Sequence, residues 1–123
     1  MTVVLIVDDN EKNRKLARDV LHVGGFQTME AASGAEAISL AGEHSPDVVL
    51  MDLRLPDMDG IDAARTLGRY PRTAGIPVVA LSSSLFDGGE WLRAAGFVGV
   101  LEKPISVRDF ADQVRRYCGG ARP

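Results

Sequence analysis

Val48-Val49-Leu50-Met51-Asp52, continuing into Leu53-Arg54-Leu55-Pro56-Asp57-Met58-Asp59-Gly60, decides the fold. A short apolar run bounded by Ser45-Pro46 before it and turn residues after it reads as a strand buried on both faces, as in parallel sheets. A carboxylate ends the run, and Pro, Asp and Gly then punctuate a loop. The same grammar recurs on either side. Val3-Val4-Leu5-Ile6-Val7 runs into Asp8-Asp9, Val78-Val79-Ala80-Leu81 into Ser82-Ser83, and Phe97 to Leu101 into Glu102-Lys103-Pro104. In an open parallel sheet, chemistry gathers just beyond the carboxyl ends of the strands. These segments therefore put Asp8, Asp9, Asp52, Ser82 and Lys103 along one edge of one sheet. That set suits a divalent cation and a phosphoryl group.

Helical periodicity fills the gaps between the strands. Asp9 or Asn10 caps a helix over roughly 11–22, with Leu16, Ala17, Val20 and Leu21 on one face and Gly24-Gly25 at its end. A short strand near Phe26 to Glu30 follows, then a helix near 34–43 with Ser33 as its cap; Glu36 completes a capping box. Further helices are predicted near 61–70 and 87–95, the second weakened at its start by Gly88-Gly89. Ser106 caps the last, whose Val107, Phe110, Ala111, Val114 and Tyr117 share an inward face. The pattern is (βα)₅, with residues 1–118 as one α/β domain and 119–123 as a fraying tail. Strict alternation implies a doubly wound parallel five-stranded sheet with right-handed crossovers. The expected strand order is 2-1-3-4-5, and its switch point lies between the strands that deliver Asp8, Asp9 and Asp52.

Composition removes several classes of function. With 123 residues, 46% apolar and 25% charged, the chain is an ordinary globular domain. A net charge of −3 lacks the basic field that nucleic-acid binding requires. No apolar run is long enough to span a membrane, and no secretory signal follows Met1. Cys118 is alone, so no internal disulfide forms and a reducing compartment is expected. A cytoplasmic protein is the expectation. The residues run just past the last helix, and no attached output module is expected.

Adjacent Asp8 and Asp9 repel one another and need a counter-charge. Mg²⁺ supplies one, since it takes one or two carboxylates and fills its shell with water or phosphate oxygens. Helix capping is the ordinary alternative for this pair, at about even odds from sequence alone. Asp52 can be a metal ligand, a cap or a nucleophile that forms an aspartyl phosphate. Phosphoryl transfer needs in-line positioning and charge neutralisation more than acid–base chemistry. Lys103 offers a point charge for this and Ser82 a hydroxyl. Each alone is more simply a loop lysine or a capping hydroxyl; together, at the right strand ends, they are not.

Val7-Asp8-Asp9-Asn10, the segment Met51 to Gly60 and Lys103-Pro104 resemble the receiver domain of two-component response regulators, over nearly the whole chain. Glu11-Lys12-Asn13-Arg14 and Ile76 to Ser82 are similar to receivers of hybrid kinases and of stand-alone regulators. The resemblance implies a flavodoxin-like fold in which Asp52 accepts a phosphoryl group from a phosphohistidine on a histidine kinase or phosphotransfer protein. It implies Mg²⁺ held by Asp9, Asp52 and the Arg54 backbone carbonyl, with Asp8 acting directly or through water. Ser82 and Lys103 would hold phosphoryl oxygens, and the Lys103-Pro104 bond would be cis. Arg54 and Ser84 would tune phosphate lifetime, and the helix exposing Asn13, Arg14 and Arg18 would dock the kinase. The signal would leave through a downstream protein target or by onward phosphorelay.

The sequence departs from that pattern in three places. Ser82 stands where Thr is frequent, and Ser83 where Ala is. Val100 replaces the usual aromatic residue three positions before the lysine, for which Phe86 or Phe97 is a candidate substitute. The stretch from Ser82 to Lys103 is about one residue short. Trp91 reads as a partly buried helix residue. Competing readings are a Mg²⁺-dependent aspartyl-phosphate hydrolase, a flavin-binding module and a degenerate receiver that switches without phosphate. The hydrolase needs Asp two residues after the nucleophile, where Arg54 stands; the flavin phosphate would meet Asp8-Asp9.

Overall fold

The computed structural model describes residues 2–82 and 89–119. Strands and helices alternate as β1 (Val3–Val7), α1 (Glu11–Val23), β2 (Gln27–Ala31), α2 (Gly34–His44), β3 (Val48–Asp52), α3 (Gly60–Arg69), β4 (Val78–Ser82), α4 (Gly89–Ala94), β5 (Phe97–Glu102) and α5 (Phe110–Gly119). The five strands form one sheet in the order β2-β1-β3-β4-β5, all pairs parallel. This is the expected order, with β1 and β3 side by side.

Alternate side chains of each strand go to opposite faces, and each face has its own core. Leu5, Val7, Val49, Met51 and Ala80 pack with Ala37, Ala41, Ala64, Leu67 and Leu92 from α2, α3 and α4. Val4, Ile6, Val48, Leu50, Val79 and Leu81 pack with Ala17, Leu21, Phe110 and Val114 from α1 and α5. Most of these side chains are fully buried. At roughly 1.5–3 kcal/mol for each large apolar side chain, this burial fixes the register of the sheet.

Register then aligns the strand ends. Val7 sits opposite Met51, Asp52 opposite Leu81 and Ser82 opposite Glu102. The ladder continues one step past the strands: the Asp8 N–H donates to the Ala31 carbonyl at 3.1 Å, and the Lys103 N–H to the Ser82 carbonyl at 2.8 Å. Side chains at these positions project from a rigid edge rather than from free loops.

Some details differ from the sequence expectation. Leu16 is 41% exposed and Val107 is 65% exposed, so neither belongs to a core face. Val107 falls outside α5 because Ser106 closes a separate turn: its carbonyl accepts the Phe110 N–H at 2.9 Å and its hydroxyl the Asp109 N–H at 3.3 Å. The described part of the fourth helix runs Gly89–Ala94 and ends one residue before the predicted span does. Ser83, Ser84, Phe86, Gly88 and the expected tail beyond Gly119 lie outside the described residues, as does the side chain of Trp91. No described helix is long and apolar enough to cross a membrane.

Candidate functional site

Asn10, not an aspartate, caps α1: its Oδ1 accepts the N–H groups of Lys12 at 2.9 Å and Asn13 at 3.2 Å. With that duty filled, Asp8 turns one oxygen back to the Asn10 N–H at 2.9 Å and keeps the other for the cleft. Asp8 Oδ2 accepts the Lys103 ammonium at 2.8 Å, and Asp52 Oδ2 accepts the same ammonium at 3.0 Å. The second Asp52 oxygen takes the Arg54 N–H at 3.2 Å. Asp8 and Asp52 are buried while Asp9 is exposed, and one oxygen from each lies within 4.8 Å of the others.

Electrostatics explains why this cluster suits a cation. Burial raises the Asp52 carboxyl above the ordinary carboxylate range, and the bonds from Lys103 and Arg54 only partly offset it. Burial pulls Lys103 down, but the bonds to Asp8 and Asp52 outweigh that and leave it above the usual lysine range. The ammonium is therefore charged at neutral pH. An all-oxygen donor set, buried on one side and open at Asp9, fits a hard divalent ion that keeps some water.

The loop after β3 is built for close approach. The Gly60 N–H donates to the Leu53 carbonyl at 3.0 Å, and Arg54 and Asp59 bridge across the loop. A Cβ on Gly60 would come within 2.2 Å of the Asp52 carbonyl oxygen and 2.9 Å of Leu53 Cα. Backbone atoms cannot move aside as a side chain can. Gly60→Ala is expected to cost about 2 kcal/mol in chemical denaturation and to weaken Mg²⁺ binding, because the strain falls on the segment carrying Asp52. A variant with wild-type values of both would show that the loop yields freely.

The pattern of the response regulator receiver domain family matches residues 4–115. The chain belongs to that family. It is 40% identical to the polar-differentiation response regulator DivK of Brucella ovis over 119 residues, 96% of this chain and 97% of that one. Among solved structures, this receiver is similar to the chemotaxis protein CheY4 of Vibrio cholerae (25% identity, TM-score 0.89, covering 95% and 98%). It is also similar to the receiver domain of sensor histidine kinase PA1611 of Pseudomonas aeruginosa (28% identity, TM-score 0.87, covering 96% and 98%), whose active-site cleft coordinates a magnesium ion.

Of the residues singled out from sequence, the receiver fold brings together Asp8, Asp9, Asp52 and Lys103. Ser82 stands at the end of β4, its carbonyl bonded to the Lys103 N–H. Arg54 enters through its amide. The Lys103-Pro104 bond is cis. Arg14 differs from the expectation of a free docking side chain: it donates to the Asp8 carbonyl at 2.7 Å and to Glu30 at 3.2 Å, while Arg18 also donates to Glu30. Only Asn13 of that trio is exposed. Phe97 is buried in the core and cannot stand in for an aromatic at Val100, which is 43% exposed. Tyr117 of α5 packs over the neighbouring residue of β5: its hydroxyl lies where a Cβ on Gly99 would sit.

Sequence reasoning named two residues but missed what they do. Arg14 fixes the backbone of Asp8, and Asp57 bonds the start of α2. The first acts over six residues, around the turn into α1, and the second over 23 and 22; neither contact is encoded by periodicity.

Proposed function

We propose that this receiver accepts a phosphoryl group on Asp52 from the phosphohistidine of a histidine kinase or phosphotransfer protein. The observation that carries this reading is the Lys103 ammonium held jointly by Asp8 and Asp52, with Asp9 alongside. An Asp52 oxygen attacks phosphorus, the P–N bond breaks, and the imidazole leaves with the bonding pair. Mg²⁺, held by Asp8, Asp9, Asp52 and the Arg54 carbonyl, supplies charge neutralisation when bound. Lys103 moves from bridging two acids to pairing with a phosphoryl oxygen, and the Ser82 hydroxyl donates to another. Phosphorylation replaces the single carboxylate charge with about two on the acyl phosphate at neutral pH, and the groups around Asp52 reorganise to meet them.

The match across nearly the full length of DivK supports a stand-alone regulator, and the lone cysteine supports a reducing, cytoplasmic setting. Its signal passes by contact with a downstream protein or by phosphorelay. Arg54, two residues past the acceptor, weighs against a hydrolase, which needs an acid there.

Incubation with acetyl phosphate and Mg²⁺, followed by intact mass and peptide mapping, tests the reading. One phosphoryl group on the peptide containing Asp52 is the expected result, lost when a chelator replaces Mg²⁺. An unchanged mass under several phosphoryl donors would favour a receiver that switches without phosphate.

A further inference from the structure

The first turn of a helix leaves N–H groups without helical partners. At α2 they are shared between two segments. Ser33 Oγ accepts the Glu36 N–H at 3.2 Å, and Glu36 reaches back to the Ala32 N–H at 2.7 Å. The other two go to a distant residue: Asp57 Oδ1 accepts the Gly34 N–H and Oδ2 the Ala35 N–H, both at 2.9 Å. Met58, next in sequence, fills the space above Gly34; a Cβ there would meet its Cγ at 2.5 Å and Sδ at 2.6 Å.

This clamp joins unlike parts of the molecule. Ala37 and Ala41 of α2 are buried in the core with strand side chains, so the helix is a fixed support. The loop from Leu53 to Asp59 is mostly exposed, with Arg54, Pro56, Asp57 and Asp59 facing solvent. Asp52 and Arg54 stand at its start, and Asp57 follows them within the same short loop. Leu53, Leu55 and Met58 pack against the core, and the bidentate bond ties the exposed side of the loop to a rigid helix. The bonds from Ala35 and Gly34 hold the Asp57 carboxyl below the ordinary carboxylate range, so it stays ionised at neutral pH.

We propose that Asp57 is a positioning residue for the Mg²⁺ site, fixing the Arg54 carbonyl and Asp52 by anchoring their loop to the N-terminus of α2. The proposal rests on the reading of Asp8, Asp9 and Asp52 as that site. It commits to a reciprocal relation: if the clamp strengthens metal binding, the metal tightens the clamp by the same factor.

The test uses the full chain and MgCl₂ alone, followed through backbone amide shifts of Asp9 and Arg54. Asp57→Ala is expected to weaken Mg²⁺ binding on the order of tenfold, the scale on which outer partners of metal ligands act. Asp57→Asn keeps one acceptor and should fall between. In the wild type, saturating Mg²⁺ should slow hydrogen exchange at the Gly34 and Ala35 amides by a similar factor. If Asp57 merely caps α2, exchange at Gly34 and Ala35 slows no more than at the Ala37 and Ala41 amides, which share any global stabilisation by the metal. Unchanged affinity in Asp57→Ala, or exchange at Gly34 and Ala35 that slows no more than at Ala37 and Ala41, overturns the proposal. Should Asp57→Ala fail to fold, the wild-type exchange measurement decides alone. A wild type that does not bind Mg²⁺ removes the metal reading itself, and the positioning role with it.

Discussion

Asp52→Asn is expected to abolish phosphoryl uptake while making the Mg²⁺-free protein more stable, by on the order of 1 kcal/mol. Loss of uptake follows because an amide oxygen is a poor nucleophile and cannot form the acyl phosphate. The gain in stability follows from the charge balance. Asp52 is buried, its carboxyl is raised chiefly by that burial, and Asp8 nearby adds repulsion. Asparagine has the same shape and can still accept the Arg54 N–H, while Lys103 keeps Asp8 as its partner. The pH dependence has a definite sign. A carboxyl whose folded pKa lies above its unfolded value costs stability when ionised, so the wild type recovers that cost as pH falls through the raised pKa. The variant has nothing to recover there. Urea denaturation in chelator should therefore show a gap at neutral pH that closes in mild acid. A variant less stable than wild type at neutral pH would mean that the Lys103 pair outweighs burial.

The order of the strands was legible because the alternation of apolar runs and helical periods leaves few topologies. Val48 to Met51 and Val3 to Val7 are apolar on both faces, which only a sheet covered on two sides requires. Asp8, Asp9, Asp52 and Lys103 were legible for the same reason, since each directly follows or ends a run. What could not be read were contacts decided by tertiary geometry. Arg14 has the periodicity of an exposed helix residue, but the turn at Asp8 and the Glu30 side chain on β2 bring it acceptors. Val107 has core spacing only if the helix starts at Ser106, and the turn closed by Ser106 and Asp109 delays that start. Asp57 looked like turn chemistry, and its partners lie 23 and 22 residues away. In each case a polar group found a partner that periodicity does not describe.

Lys103→Met should have the opposite effect from Asp52→Asn, a loss of about 3 kcal/mol in chelator at neutral pH. Methionine preserves much of the aliphatic stem, so the loss comes from the charge. Asp8 and Asp52 side chains are 2% and 13% exposed, and both accept the Lys103 ammonium, itself 17% exposed. Without it two buried carboxylates face each other with only N–H dipoles to stabilise them. Removing one member of a buried ionic cluster costs 3–5 kcal/mol, and the opening toward Asp9 places this site at about the lower end. Two treatments should restore the variant. Acid protonates Asp52, whose carboxyl is already raised by burial and loses the offsetting Lys103 bond, so stability rises as pH falls. Mg²⁺ replaces the missing charge; at a hundredfold excess over its dissociation constant, binding adds about 2.7 kcal/mol, close to the whole deficit. The double variant Asp52→Asn/Lys103→Met leaves only Asp8 unpaired, so it should lose less than Lys103→Met alone, a non-additivity expected of groups sharing one charge balance. Equal stability of Lys103→Met and wild type in chelator, or no greater benefit from Mg²⁺ in the variant, would make the ammonium a bystander to the acids it touches.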